Sequence, residues 1–160
     1  QKKYARQLEK HITFSTDISA RLPELHAYTI LSILNNLTAN AIEAIHQKGQ
    51  IDITMKRIGP ELHLEVTNTG SSIPLRRLSQ IFRPGYTTKY DGRASSGVGL
   101  TYIKALAEYL GGSITATSDG KDQVSFHLHL PLNRITTANP GKISPVPSPS
   151  PEFSKKGPQS

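Results

Sequence analysis

The chain has 160 residues, of which 36% are hydrophobic, and a formal net charge of +7 at pH 7. This length suits one folded domain. Despite the positive charge we expect no nucleic-acid partner, because the sequence has no dense basic helix with interleaved aromatic residues. The lack of cysteine excludes disulfides and thiolate metal sites, and no apolar run approaches the roughly 20 residues that cross a bilayer.

The two ends of the chain differ in character from its middle. Residues 1–10 are polar and charged, with Tyr4 and Leu8 four apart, and we interpret them as the end of a helix that begins upstream. From Asn133 onward the sequence is rich in proline, serine and lysine and has no apolar period, so we predict a disordered tail over 133–160. The predicted folded domain therefore spans 11–132.

Apolar patterning within this domain predicts alternating strands and helices. The predicted elements, in chain order, are a strand at 12–18, a helix at 27–47, a strand pair at 51–55 and 62–66, a short helix at 75–82, a helix at 98–110 and a second strand pair at 113–118 and 123–130. This order predicts an α/β fold, a two-layer sandwich in which helices cover one face of a mixed, mainly antiparallel sheet.

The helix predicted at 27–47 carries polar residues in a regular pattern. Asn36, Asn40 and Glu43 lie four and then three apart, so they share one stripe of the helix. Asparagine is a poor helix former, which leaves two interpretations. Either these side chains face solvent or bond locally to the backbone, or Asn40 offers a carbonyl oxygen to a hard cation such as Mg²⁺.

A polar loop precedes the helix predicted at 98–110. It contains Lys89 and Arg93, and it leads into the sequence Gly97-Val98-Gly99-Leu100. The unpaired N–H groups and dipole at the start of a helix attract phosphate, and glycines permit close approach of the backbone. This pattern favours a nucleotide polyphosphate ligand, although glycines at a helix start are also common as simple turn or packing residues.

Four segments together carry a resemblance to a known family. They are 36–44 (NLTANAIEA), 68–74 (NTGSSIP), 81–89 (IFRPGYTTK) and 97–100 (GVGL). In this order they resemble the asparagine, first glycine, phenylalanine and second glycine boxes of the ATP-binding catalytic domain of sensor histidine kinases. That domain has the Bergerat-type ATP-binding fold, which gyrase, mismatch-repair and heat-shock-chaperone ATPases share. The resemblance covers about residues 12–131.

The resemblance implies a role for each matching residue. Asn40 matches the ligand of a Mg²⁺ ion that bridges the ATP phosphates, and Asn36 and Glu43 match its neighbours on the nucleotide side of the helix. Asn68 matches the acceptor for the adenine amino group, and Ser125 a residue that supports this acceptor. The remaining matches are Gly70 and Ile73 in the adenine pocket and Lys89, Gly97, Val98, Gly99 and Leu100 in the lid and phosphate-binding turn.

The sequence departs from the family pattern at the adenine acceptor. Asn68 replaces an aspartate, and Ser72 replaces the second glycine of the same box. Asparagine keeps a carbonyl acceptor but adds an amide donor that needs its own partner. A neutral instead of a charge-assisted hydrogen bond costs roughly 1 kcal/mol, or about five- to tenfold in affinity, so we retain ATP as the expected ligand.

The type of reaction depends on Asn36. The ATP-hydrolysing branches of the superfamily carry a glutamate there that activates water, and asparagine cannot act as a base. The resemblance therefore favours phosphoryl transfer to a histidine over hydrolysis. The alternative is a non-catalytic binding module, in which Asn68 and Ser72 mark a degenerate pocket.

The expected partners also follow from the resemblance. None of the chain's six histidines lies on a predicted helical hairpin followed by an acidic residue, so we expect the acceptor histidine on an upstream dimerisation domain. We expect this fragment to be a monomer, the intact protein to be a homodimer, and a response regulator to receive the phosphate. The expected location is the cytoplasm, including the cytoplasmic part of a membrane-anchored sensor.

Overall fold

The computed structural model describes residues 9–86 and 99–137. Its main elements, in chain order, are β1 (His11–Ile18), α1 (Ala27–Ala44), β2 (Lys48–Ile58), β3 (Glu61–Thr69), α2 (Gly99–Tyr109), β4 (Ser113–Ser118) and β5 (Gln123–Pro131), with 3₁₀ turns at Leu75–Arg77 and Leu132–Arg134. This order agrees with the one predicted from the sequence. Neither helix in this part of the chain is long and apolar enough to cross a membrane.

The five strands form one sheet in the order β1-β2-β3-β5-β4. β1 pairs with β2 in parallel, because α1 carries the chain back between them, and the other neighbours are antiparallel. The predicted mixed, mainly antiparallel sheet is confirmed.

The core lies between the helices and one face of this sheet. α1 buries Ile30, Ile33, Leu37 and Ala41, which recur at helical spacing, and α2 buries Ile103 and Ala107. Alternate residues of the central strands meet them, namely Leu62, Leu64 and Val66 of β3 and Val124, Phe126, Leu128 and Leu130 of β5. The intervening residues of each strand form the opposite face of the sheet, here called the open face.

Several predicted boundaries differ from the observed ones, and the strands β2 and β3 are longer than predicted. α1 ends at Ala44, not Gln47, because Ile45 turns into extended backbone and buries its side chain completely. The helix predicted at 75–82 shrinks to a 3₁₀ turn at Leu75–Arg77, because only Ile81 in this range is fully buried and the segment buries too little apolar surface to hold a longer helix.

The folded part also extends past the expected boundary at residue 132. Ile135 is completely buried, its carbonyl accepts a 2.7 Å hydrogen bond from the His26 backbone N–H, and Thr136 forms a bridge with Leu25. Sequence composition does not reveal this extension, because Ile135 precedes a proline- and serine-rich stretch and has no apolar periodicity around it.

Candidate nucleotide-binding site

The asparagine stripe of α1 faces the beginning of α2. Asn36 is half-buried, and its amide nitrogen donates a 2.8 Å hydrogen bond to the Ser32 carbonyl. Its Oδ1 lies 3.4 Å from where a Cβ would stand at Gly99. One of the two interpretations of these asparagines is a local hydrogen bond to the backbone, and Asn36 makes such a bond. The same side chain also presents its oxygen to Gly99, the first residue of α2.

Asn40 and Glu43 continue the stripe toward the end of α1. Asn40 is half-buried, and it makes no side-chain hydrogen bond to any residue within 9–86 or 99–137, whereas Glu43 is exposed. Lys10 donates a hydrogen bond of 2.9 Å to the Ile42 carbonyl and so caps the last turn. An amide that local bonds do not occupy can offer its carbonyl oxygen to a ligand or a hard cation.

Asn68 lies near the end of β3 on the helix side of the sheet, with only 2% of its surface exposed. Its amide nitrogen donates to Ser71 Oγ at 2.8 Å and to the Thr69 carbonyl at 3.3 Å. The described residues donate no hydrogen bond to its Oδ1. The additional donor that asparagine brings is therefore satisfied within the loop, and the side chain retains an acceptor.

The loop that follows β3 is fixed by the second hairpin. Gly70 has φ +84°, and a Cβ there would stand 2.4 Å from the Lys48 carbonyl, so the position requires glycine. The Gly70 N–H donates to Asp122 Oδ1 at 3.1 Å, and the Ile73 N–H donates to Ser118 Oγ at 3.2 Å. Sequence reasoning identified Gly70 and Ile73 but missed Asp122 and Ser118, since no motif links them to a loop some fifty residues away.

The β4–β5 turn that holds Asp122 is itself organised by Asp119. One oxygen of Asp119 accepts the backbone N–H groups of Lys121, Asp122 and Gln123, each at 2.9 Å. These backbone hydrogen bonds lower the pKa of the exposed Asp119 carboxyl below its ordinary value, because they favour the charged form.

The segment before the polar loop is anchored to both the sheet and α2. Phe82 packs edge to face on Phe126 with ring centroids 6.3 Å apart, and Thr101 Oγ1 donates to the Phe82 carbonyl at 3.2 Å. Tyr86 buries its hydroxyl, which has no hydrogen-bond partner within the described ranges. The predicted lid residues Lys89, Gly97 and Val98 lie outside the described residues, and Gly99 and Leu100 open α2.

The expected support of Asn68 by Ser125 is not formed. β3 and β5 pair with Asn68 opposite Val124 and with Thr67 opposite Ser125. Because successive side chains of a strand point to opposite faces, Ser125 lies on the open face, where its hydroxyl and that of Thr67 are 2.8 Å apart. The residue beside Asn68 on the helix side is Val124, whose side chain offers no hydrogen bond.

α1 connects the two loops that carry the remaining candidates. Asn36 Oδ1 lies 3.4 Å from the Cβ position at Gly99 in the predicted phosphate-binding turn, and Ile45 Cγ2 lies 3.2 Å from the Cβ position at Gly70 in the predicted adenine loop. Eight helical steps, about 12 Å along the axis, separate Asn36 from Ala44, the last residue of α1 before Ile45, and Asn40 lies between them. α1 therefore runs from the loop at Gly70 to the start of α2 at Gly99, with Asn40 between the two.

A surface cleft of about 450 Å³ lies elsewhere on the molecule. It is lined by Ser19, Arg21, Arg57 and Gly59, at the turn end of the β2–β3 hairpin. Asn68 lies toward the other end of that hairpin, opposite Ile51. This cleft contains none of the predicted nucleotide-contacting residues.

Comparison with known proteins gives consistent matches to one family. A family profile described as "Histidine kinase-, DNA gyrase B-, and HSP90-like ATPase" matches residues 26–134. Sensor histidine kinase GlnK of Bacillus subtilis (strain 168) is 35% identical over 136 residues, which cover 83% of this chain and 33% of that protein. Sensor histidine kinase ZraS of Escherichia coli (strain K12) is 37% identical over 121 residues, 74% of this chain and 25% of that protein. The chain therefore spans a quarter to a third of these relatives.

Solved structures match with the same topology. The nucleotide-free catalytic domain of histidine kinase ThkA superposes with a TM-score of 0.65 at 30% identity, over 77% of this chain and 82% of that one. ThkA in complex with the response regulator protein TrrA gives a TM-score of 0.61 at 28% identity, over 81% of this chain and 36% of that one.

Proposed function

This chain belongs to the histidine kinase-, DNA gyrase B- and HSP90-like ATPase family, and we propose that it binds ATP with Mg²⁺ as the catalytic domain of a two-component sensor histidine kinase. Its reaction is transfer of the γ-phosphoryl group of ATP to a histidine of an upstream dimerisation domain. The two sensor histidine kinases described above, of which the chain matches a quarter to a third, support this proposal.

The observation that carries the proposal is the course of α1 between the two glycine loops. The adenine end of ATP is assigned to Asn68 and Gly70, and the phosphate end to Gly99 and Leu100 together with Lys89, Gly97 and Val98. Asn68 Oδ1 accepts a hydrogen bond from the adenine amino group, since the amide hydrogens of Asn68 are already donated to Ser71 and Thr69. Leu100 follows Gly99 in the first turn of α2, whose N–H groups attract phosphate.

The residues present fit a Mg²⁺ ion that arrives with the nucleotide. Mg²⁺ keeps several waters and takes one or two protein oxygens besides the phosphates, so a single neutral oxygen from Asn40 is a suitable donor set. Within the described residues the Asn40 side chain has no competing hydrogen bond, and Glu43 lies one turn further along α1. When bound, Mg²⁺ supplies positive charge that neutralises the phosphate oxygens.

Transfer is favoured over hydrolysis by the chemistry of Asn36. Its amide nitrogen is tied to the Ser32 carbonyl, and its Oδ1 faces Gly99. Neither atom can remove a proton from water, so the site lacks the general base that hydrolysis requires at this position. A phosphoryl acceptor that brings its own nucleophile, the imidazole of a histidine, needs no such base.

The proposed acceptor and partners lie outside this domain. The six histidines of the chain lie in β1, at the start of α1, just after α1, in β3 and in β5, and none lies inside a helix. We therefore assign the acceptor to a helical dimerisation domain, through which the intact protein forms a homodimer, and the next recipient to a response regulator. The solved complex of the related kinase ThkA with TrrA is consistent with this order of transfer.

Calorimetric titration of the purified chain with ATP, with and without Mg²⁺, tests the proposal. We expect saturable binding that Mg²⁺ strengthens, and we expect acid-labile phosphohistidine when the same domain is joined to its upstream helices. If millimolar ATP gives no heat, the pocket is degenerate and the domain is an interaction module. If ATP binds but the longer protein forms no phosphohistidine, the nucleotide site stands and the assigned reaction is wrong.

A further inference from the structure

The open face of the sheet carries a cluster of metal-ligating side chains that the nucleotide site does not use. Glu61 and His63 belong to β3 and His129 to β5, and one ligand atom from each residue lies within 4.8 Å of the others. His63 and His129 are directly opposite each other in the ladder, with ring centroids 3.9 Å apart and planes inclined by 20°. His63 Nε2 lies 3.0 Å from Glu61 Oε2.

We propose that Glu61, His63 and His129 form a binding site for a borderline divalent cation, Zn²⁺ being the best match. Two imidazole nitrogens and one carboxylate oxygen are a common ligand set for zinc, and three protein ligands leave the fourth tetrahedral position open to water or to a further group. This site lies on the face of the sheet that points away from α1, α2 and the proposed ATP pocket.

The backbone holds the three side chains in suitable positions. Glu61 and His63 are two residues apart on one strand, so both point to the open face, and His129 is the cross-strand neighbour of His63. β3 and β5 are interior strands of the sheet, which fixes their Cβ positions. Zn–N bonds of about 2.0–2.1 Å at tetrahedral angles place ligand atoms about 3.3 Å apart. The ligand atoms are already within 4.8 Å of one another, and zinc binding requires the two imidazoles to turn out of their stacked arrangement so that both lone pairs point at one ion.

An ion can reach these side chains from solvent. The side chain of His63 is 27% exposed and that of Glu61 is 47% exposed. Lys56 stands opposite His63 in the ladder, but its ammonium lies 3.8 Å from the Asp17 carboxylate, which offsets part of its repulsion of a cation. Without a metal, the same groups make a hydrogen bond between His63 and Glu61 and a stacked histidine pair, so the experiment must separate coordination from ordinary surface contacts.

His127 provides a matched control on the same face. It lies two residues before His129 on β5 and so points to the same open face, but both of its ring nitrogens already have partners. Nδ1 lies 3.2 Å from Glu65 Oε2, and Nε2 lies 3.1 Å from Thr117 Oγ1. His127 therefore tests whether zinc requires the proposed triad or any exposed histidine of this sheet.

The experiment titrates Zn²⁺ into the chain without an affinity tag and without nucleotide. We expect one ion per chain. His63→Ala, His129→Ala and Glu61→Gln should each weaken binding at least about tenfold, because loss of a direct ligand exceeds the tenfold effect common for outer-shell partners. His127→Ala should stay within about twofold of the wild type. Zn²⁺ should raise the Tm of the wild type but not that of His63→Ala.

Three results would overturn the site. These are absence of one-to-one binding, unchanged zinc affinity in both His63→Ala and His129→Ala, or an equal loss in His127→Ala. Thermal unfolding without metal verifies that each variant folds, and His63→Gln and His129→Gln replace any alanine variant that does not.

Co²⁺ gives a direct readout of ligation, since tetrahedral His₂Glu coordination produces strong visible absorption that the triad variants should lose. ATP titration of His63→Ala should match the wild type, so failure here leaves the proposed nucleotide site intact.

Discussion

The side-chain amide of Asn68 donates a 2.8 Å hydrogen bond to the Ser71 hydroxyl, and this contact leaves its carbonyl oxygen as an acceptor. In the proposed site, an asparagine in place of the family's aspartate therefore offers a neutral acceptor to the adenine amino group. The Ser71 hydroxyl can equally donate to a carboxylate, which would give up only the longer, 3.3 Å hydrogen bond to the Thr69 carbonyl.

Asn68→Asp should consequently bind ATP more tightly than the wild type. A charge-assisted hydrogen bond to the adenine amino group gains roughly 1 kcal/mol, so we expect up to about a five- to tenfold gain by calorimetry. Asn68→Leu, which removes the acceptor, should lose binding. GTP serves as the control nucleotide, because its ring presents a carbonyl where adenine has the amino group. Wild-type affinity of Asn68→Leu for ATP would show that the adenine lies elsewhere.

Asn40→Ala should remove most of the effect of Mg²⁺ on ATP affinity. We expect a loss of at least about tenfold in the presence of Mg²⁺, which is about 1.4 kcal/mol, and a much smaller change in its absence. Asn35→Ala is the matched control, since Asn35 is an exposed asparagine on the same helix. Both substitutions improve helix propensity, so instability cannot explain a loss of binding. Full Mg²⁺-dependent affinity in Asn40→Ala would reject the assigned ligand.

Gly70→Ala should destabilise the domain far more than Gly59→Ala. Both glycines have positive φ, at 84° and 59°, but a Cβ at Gly70 meets the Lys48 carbonyl at 2.4 Å whereas none of the described atoms lies within 4 Å of one at Gly59. Backbone strain alone costs about 1–2 kcal/mol, which we expect for Gly59→Ala. The added clash should raise the cost at Gly70 to at least about 3 kcal/mol in urea unfolding. Equal costs would mean that the loop moves aside easily.

The fold could be predicted from the sequence because its signals are local. Apolar residues at helical spacing mark α1, alternation marks the strands, and the order of these elements excludes most other architectures. The errors lie where a single contact decides the outcome. Ile45 ends α1 by turning into the core, and Ile135 binds the start of the presumed tail to the domain.

The candidate site was predicted in outline and not in its supporting contacts. Asn36 and Gly99 came from motifs, and the structure brings them together. The partner of Asn68 depends on strand register, and the support that the resemblance implied for Ser125 is not formed because the register places Val124 opposite Asn68. Asp122 supports Gly70 through a contact between distant segments, for which one sequence carries no signal.

Ser125→Ala should leave ATP affinity unchanged within about twofold. Its hydroxyl pairs with Thr67 on the open face, so its loss affects the sheet and not the pocket. Removal of one buried hydrogen bond should lower the free energy of unfolding by about 1 kcal/mol. Thermal unfolding and ATP titration of the same sample separate the two effects. A large loss of ATP affinity without loss of stability would contradict the observed register.

Asp119 should stabilise the domain only above acidic pH, and its loss should also loosen the adenine loop. Three backbone N–H groups lower its pKa below 3.8 in the folded chain. A group whose pKa falls on folding contributes stability above its unfolded pKa, and this contribution is lost as the pH falls through the folded value. Asp119→Ala should therefore lower stability at pH 6–7 and differ progressively less from the wild type below pH 3.8.

Because Asp119 also fixes the Asp122 backbone, and Asp122 accepts the Gly70 N–H, the variant should weaken ATP binding at neutral pH. Asp122→Ala tests that second step, since it should weaken ATP binding at neutral pH by removing the acceptor of the Gly70 N–H. A pH-independent difference between Asp119→Ala and the wild type would show that the turn is held by something other than the charged carboxylate.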